Sequence, residues 1–221
     1  MTGGKVHRRT ILIGLAALLS GTACRSGAYK RAAADDSGDR KPRADLYACE
    51  GCEGALERSR AALGPDARMI PPAEPGEPMR IEGVVYQVDG ATPAPNVVIY
   101  AYQTDANGLY SRGVPGTEAG RRHGLLRGWV RTGADGRYSF DTIKPGPYPR
   151  ETIPAHVHLT VLEPGRQPYW IDDIVFAGEH GVTEAYRRER ENRGGDGIVT
   201  PIRRGNVLIA KRDIILERHP S

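Results

Sequence analysis

Two histidines stand one residue apart in "IPAHVHLTV", residues 153–161, in a chain with six histidines in all. A β-strand turns successive side chains to opposite faces, so residues i and i+2 share one. As a strand, this stretch turns His156 and His158 one way and Val157, Leu159 and Val161 the other. The pair is then either a wetted strand face or a pair of metal ligands, imidazole being the commonest side-chain ligand. Tyr110 closes "TDANGLY", and Tyr148 sits in "TIKPGPYP", where a proline on each side fixes the backbone. Two phenols and two imidazoles make a mixed oxygen and nitrogen donor set. Phenolate is a hard anionic donor, which suits a hard, highly charged ion such as ferric iron. A free tyrosine has a pKa of about 10, and a bound cation lowers it. The chain has 10 tyrosines against 2 phenylalanines, so a tyrosine taken at random is a packing residue at a sheet edge. Composition and spacing do not by themselves single out Tyr110 and Tyr148.

Other chemistries lack their signatures. There is no GxSxG elbow, no phosphate-binding P-loop and no GxGxxG in strand–turn–helix context. No serine sits where a hydrolase triad would need one.

The elements that must position these residues are strands. From Met79 onward, "RIEGVVYQVDG", "NVVIYAYQT", "GWVRTGADGRYSFDTI", "HVHLTVLEPG" and "YWIDDIVF" alternate or run apolar. Turn signals such as Asp89-Gly90, Asp135-Gly136 and Pro164-Gly165 separate them. "GIVTPIRR", the Gly205-Asn206 turn and "VLIAKRDIIL" predict a closing hairpin. Turns at this spacing point to an all-β protein, an antiparallel β-sandwich with short helices and long loops. "EGALERSRAAL" at 53–63 predicts a short helix, and the prolines at 70–78 interrupt the chain. "TEAYRREREN" at 183–192 reads as a charged helix or surface loop, a candidate lid beside a pocket.

Three segments in order, "DANGLY", "DGRYSFDTIKPGPYP" and "PAHVH", resemble the intradiol ring-cleavage dioxygenases, the protocatechuate and catechol dioxygenase family. The resemblance runs from about Met79 to Leu216, and "GGDGIVTPIRRGNVLIAKRDIIL" matches the family's closing hairpin. It implies a transthyretin-like sandwich and a non-haem ferric ion held by Tyr110, Tyr148, His156 and His158. It further implies that a catechol chelates the iron as a dianion and displaces Tyr148, which then serves as a catalytic base. Dioxygen attacks the activated ring, and the bond between the hydroxylated carbons breaks to give a cis,cis-muconate-type diacid. Tyr102, Arg131, Arg150 and Asp173 are the expected substrate contacts. The family carries an arginine three residues before the first histidine, where this chain has Ile153. Arg150 or Arg131 is the candidate replacement for its charge, and Asp173 stands near the place of a family glutamine. Two other readings remain: a transthyretin-like binding module with a non-catalytic or repurposed metal site, and an iron oxygenase acting on a larger phenolic or lignin-derived substrate. A homodimer is compatible with the family.

The N-terminus predicts export. Lys5, Arg8 and Arg9 precede an apolar run from about Ile11 to Leu19, too short for a stable membrane span. Arg8-Arg9 suggests the twin-arginine route. "SGTAC" resembles a lipoprotein cleavage site, with Cys24 as the lipidated residue and possible point of membrane attachment, although Gly21 departs from the usual pattern. Residues 1–23 thus form the signal, 24–45 a flexible tether, 46–78 an N-terminal extension and 79–221 the sandwich domain. The expected location is periplasmic, lipid-anchored at the cell surface, or secreted. Loss of the signal removes three cations and no acid, taking the net charge from +4 to +1, so charge gives no support to a nucleic-acid partner. Cys49 and Cys52 in "CEGC" are expected to form a local disulfide in an oxidising compartment.

Overall fold

The computed structural model describes Met1 and residues 41–111 and 117–221. The expected export signal, Cys24 and most of the tether lie outside the described residues. The strands are β1 (Asp66–Arg68), β2 (Pro78–Tyr86), β3 (Val98–Gln103), β4 (Arg127–Arg131), β5 (Arg137–Ile143), β6 (His156–Leu162), β7 (Tyr169–Phe176), β8 (Ile198–Val199), β9 (Ile202–Arg204), β10 (Val207–Lys211) and β11 (Ile214–Ile215). Two short helices, α1 (Glu118–His123) and α2 (Glu184–Glu189), interrupt them.

One sheet runs β1-β5-β2-β10-β9, with β11 also paired to β2, and the other runs β4-β3-β6-β7-β8. The expected all-β sandwich is present, and its centre is antiparallel: β2 with β5, β3 with β4 and β6, and β6 with β7. The predicted closing hairpin is β9–β10. Parallel pairs add to this frame. β1 joins β5, β10 and β11 join β2, and β8 joins β7. These partners arrive from distant parts of the chain, so no tight hairpin dictates their direction.

Alternation builds the core. Along β2, Met79, Ile81 and Val85 are buried while the residues between them are partly open. They meet Val157, Leu159 and Val161 of β6 in one cluster with Phe140, Ile99 and Ile174. Each such side chain contributes about 1.5–3 kcal/mol by leaving water, which fixes the register of β6 and sends His156 and His158 outward from the core.

The outer face of the second sheet is covered by the N-terminal extension. Trp129 Nε1 donates to the Gly54 carbonyl at 2.8 Å, and Trp170 Nε1 to the Ala48 carbonyl at 3.1 Å. Leu46 and Met69 lie in the same core as the strands. The predicted helix over 53–63 is replaced by two 3-10 turns, Cys52–Leu56 and Arg60–Ala62. Trp129 takes a carbonyl that an α-helix would use, and Ser59 adopts an extended ψ of 128° between the turns. Cys49 and Cys52 are joined in a disulfide at the start of this cover.

Candidate metal centre

Two loops from opposite sheets deliver the tyrosines. The chain leaves β3 through "TDANGLY" and leaves β5 through "KPGPYP", and the loops are bonded to each other. Gly146 N–H donates to the Asp105 carbonyl at 2.8 Å, and Thr104 Oγ1 donates to the Gly146 carbonyl at 2.8 Å. The Asp105 carboxylate accepts from Asn107 N and Leu109 N, closing the turn that aims Tyr110. Gly108 holds a φ of +78°, and a Cβ there would lie 1.8 Å from the Pro147 carbonyl oxygen. Only glycine allows so close an approach.

At the meeting point the two phenol oxygens are 2.7 Å apart. His158 Nε2 is 3.1 Å from the Tyr110 oxygen and 3.0 Å from His156 Nε2. The four residues expected to bind metal are therefore together. Donor atoms about 2 Å from a common ion sit roughly 3 Å from one another, which is the spacing found.

The protons decide what this cluster can hold. His156 Nδ1 lies 2.7 Å from the Pro154 carbonyl, an acceptor only, so Nδ1 carries the proton and Nε2 is bare. His158 Nδ1 lies 3.1 Å from Asp173 Oδ1, which fixes its proton there and leaves its Nε2 bare as well. With both rings in these neutral tautomers, two lone pairs face each other at 3.0 Å. A second proton on His156 is opposed: its pKa is lowered, chiefly by burial and then by its neighbour His158. A cation between the nitrogens removes the conflict, so the residues fit a metal. The pKa of Tyr110 is raised, first by burial and then by its bond to Tyr148, and that of Tyr148 is raised by burial. Both are neutral phenols without an ion, and a highly charged cation reverses that.

The expected substrate contacts separate. Tyr102 is at the site: it is paired across the strands with His158, and their rings stack at 4.4 Å. Its other face stacks on His123 of α1 at 3.8 Å and 6°. Asp173 bonds to the ring nitrogen of His158 facing away from Tyr110, so it orients a ligand as well as lining the adjacent space. A β-bulge explains its place. Val157 pairs with Ile174 and Leu159 with Ile171, so Asp172 and Asp173 both stand opposite His158. Arg131 is not at the site. It pairs with Val98, four residues or about 13 Å along β3 from Tyr102, and its guanidinium holds the Leu63 carbonyl and Asn96. Arg150 is exposed in a left-handed turn with φ 68° and forms no ion pair among the described residues. Ile153 is 45% exposed and contributes nothing polar.

A cavity of about 470 Å³ opens beside His158, Tyr102 and Asp173. Glu50 of the N-terminal extension, Trp170 of β7, and Tyr186 and Arg190 from α2 and its C-terminal cap wall it. The charged segment 183–192 does border a pocket, but sequence alone did not mark Arg190, Trp170 or Glu50 within it. His123 was also missed. It is buried, accepts or donates at 2.8 Å with the Tyr100 hydroxyl, and its pKa is lowered to about 4, mainly by burial.

Residues 58–190 match a family model described as Dioxygenase. The chain is 34% identical over 106 residues to a 6-chlorohydroxyquinol 1,2-dioxygenase of Cupriavidus pinatubonensis, covering 41% of this chain and 37% of that one. It is 28% identical over 149 residues to catechol 1,2-dioxygenase 2 of Acinetobacter lwoffii, covering 55% and 52%. The matched region thus spans about half or less of these relatives' length. The fold is similar to the dioxygenase domain of a dioxygenase and carbohydrate-binding fusion from Streptomyces sp. SirexAA-E. That match has a TM-score of 0.54 and 23% identity, and covers 70% of this chain and 89% of the other.

Proposed function

Because this chain belongs to the intradiol ring-cleavage dioxygenase family, we propose that it cleaves a catecholic ring with dioxygen, using a non-haem ferric ion held by Tyr110, Tyr148, His156 and His158. The bond between the two hydroxylated carbons breaks and each of those carbons gains one oxygen atom. The product is a cis,cis-muconate-type diacid, and no external reductant is consumed. The observation that carries this reading is the meeting of two phenol oxygens with two bare imidazole nitrogens at about 3 Å. A ferric ion there supplies the charge that lets both diol protons leave near neutral pH and readies the ring for dioxygen.

The protein's own groups do the rest. Asp173 and the Pro154 carbonyl hold the two imidazoles in the tautomers that leave Nε2 free. Tyr148 is half-buried, and among the described residues its side chain hydrogen-bonds Tyr110 alone, so it is the phenol free to leave the cluster and accept a diol proton. Burial, which raises its pKa, makes its phenolate a better base. Tyr102, stacked between His158 and His123, holds the His158 ring in place.

We place the protein outside the cytosol. The Cys49–Cys52 disulfide supports this, since such bonds persist in oxidising compartments. Cell fractionation and fatty-acid labelling of Cys24 test the location and the lipid anchor. The metal centre itself is tested by loading iron and recording the visible spectrum. Tyrosinate on ferric iron gives a charge-transfer band, and Tyr110→Phe or Tyr148→Phe is expected to shift or weaken it. An iron-replete protein that is colourless, or a band indifferent to both substitutions, contradicts the assignment.

A further inference from the structure

The disulfide-closed turn Cys49–Cys52 leads into the 3-10 turn Cys52–Leu56, which packs against β3, β6 and α1. Those elements carry Tyr102, His158 and His123. Gly51 lies against the His123 ring, where a Cβ would stand 3.0 Å from Nε2. Gly54 lies against Tyr100, whose hydroxyl is 2.8 Å from His123 Nδ1. His123 stacks on Tyr102 at 3.8 Å, and Tyr102 stacks on His158 at 4.4 Å. An unbroken run of contacts thus leads from the disulfide turn through two rings to a metal ligand.

Trp170 and Trp129 anchor the two ends of this stretch, at the carbonyls of Ala48 and Gly54. Between those anchors the disulfide sets the path of the chain. Glu50 and Glu53 both reach Arg122, at 3.3 and 3.2 Å, but their side chains are 91% and 49% exposed, and ion pairs in water contribute little. The disulfide joins residues only three apart. So short a loop removes less freedom from the unfolded chain than a long one, so breaking it frees the turn without unfolding the sandwich. Cys49 is half-buried, whereas Cys52 is buried and its Sγ lies 3.8 Å from Thr160 Oγ1, two residues beyond His158 on β6.

We propose that the Cys49–Cys52 turn is a redox-sensitive brace of the metal centre, and that His123 is the positioning residue through which it acts. Closed, the turn keeps His123 on Tyr102 and limits the swing of the His158 ring. A dithiol opens it. One thiolate of the dithiol attacks the Cys49 sulfur, the Cys49–Cys52 bond breaks, and Cys52 leaves as a thiolate that takes up a proton. The second thiol then closes the reagent's own disulfide and releases Cys49. Two electrons and two protons pass from the dithiol to the cysteine pair. Gly51 is then free to move off His123, and the His158 ring loses its support. Glu50, which lines the cavity beside His158, moves with the turn. The effect on iron rests on the dioxygenase reading above, whereas the loosening of the turn and of α1 does not.

Hydrogen exchange on the iron-free protein reads the brace. Competition with a chelator reads the iron, with the dithiol, here dithiothreitol, removed before the metal is added. Reduction is expected to speed amide exchange in residues 49–56 and 118–124 while β2 and β5 stay protected, and to lower iron affinity about tenfold. Reoxidation restores both. Cys49→Ser combined with Cys52→Ser reproduces the reduced state and no longer answers to dithiothreitol. His123→Ala lowers iron affinity in the oxidised protein and abolishes its dependence on the disulfide, whereas His123→Phe, which keeps a ring against Tyr102, retains that dependence. The proposal is overturned by a disulfide that dithiothreitol does not open in the folded protein, by exchange and affinity indifferent to its state, or by a redox response that persists in the serine variant or undiminished in His123→Ala. If the serine variant does not fold, the reduced and reoxidised wild type still decide. Absence of iron binding in both states counts against the metal centre and leaves exchange in the iron-free protein to judge the brace.

Discussion

At the histidines, one proton too few is what suits the pair to a cation. Asp173 and the Pro154 carbonyl each claim the Nδ1 proton of one ring, so both Nε2 atoms are left as bare donors. Asp173→Asn keeps the shape but not the charge, and an amide can present either end to the ring. Iron affinity is expected to fall about 10- to 100-fold, read by competition with a chelator; an unchanged affinity contradicts the orienting role. His123 gives a pH-dependent prediction. Burial lowers its pKa from 6.5 to about 4, so the fold favours its neutral form. Below pH 6.5 the unfolded chain takes up a proton that the folded one refuses. The stability from this group is therefore full above pH 6.5 and declines as pH falls toward 4. Denaturant titrations at pH 7 and pH 5 should show a smaller difference for His123→Gln than for the wild type. The shared face of His156 and His158 was legible because strand alternation is a period the sequence displays. That Tyr110 and Tyr148 lie beside the histidines was legible only through resemblance, since ten tyrosines give no spacing that singles out two. Arg131 was misplaced because its strand was identified but its register along β3 was not.

The loops and turns decide whether those residues meet. Gly108 and Gly146 let the loops after β3 and β5 press backbone to backbone. Gly108→Ala forces a methyl into the Pro147 carbonyl in a left-handed conformation, a strain of about 1–3 kcal/mol. The expected result is a loss of iron binding larger than the loss of stability, seen as a weakened visible band in protein that still melts cooperatively. Equal retention of iron would mean that the loops are not what aligns Tyr110 with Tyr148. Strands were readable from turn residues such as Asp135-Gly136. The bulge opposite His158 was not, because one extra residue in β7 leaves no compositional mark, yet it places Asp173 on the histidine and Asp172 on Arg190. The 3-10 turns of 52–62 were read as a helix because their composition is helical, and only the contacts to Trp129 and Tyr100 forbid it. A Cβ on Gly54 would lie 2.6 Å from the Tyr100 ring. Gly54→Ala is therefore expected to lift the N-terminal cover and lower the melting temperature by several degrees.

Across the whole molecule, two sheets share one core, and the site sits where loops from both sheets reach one end of β6. The extension before the first long strand is part of that arrangement, since it covers the outer face of the second sheet and brings Glu50 to the cavity. The sandwich was readable in outline from strand and turn spacing. The parallel partners of β2 were not, because pairing between distant segments is set by the core they close over rather than by local sequence. The activity proposed for this assembly is the opening of a catechol ring between its two hydroxylated carbons. The most direct measurement is mass spectrometry of the product formed from catechol by the iron-loaded protein under isotopically heavy dioxygen. A cis,cis-muconate-type diacid carrying both heavy atoms, and lost in His158→Ala, is the result expected. A ring opened beside the diol, a product with no heavy oxygen in its carboxyl groups, or unchanged catechol contradicts it.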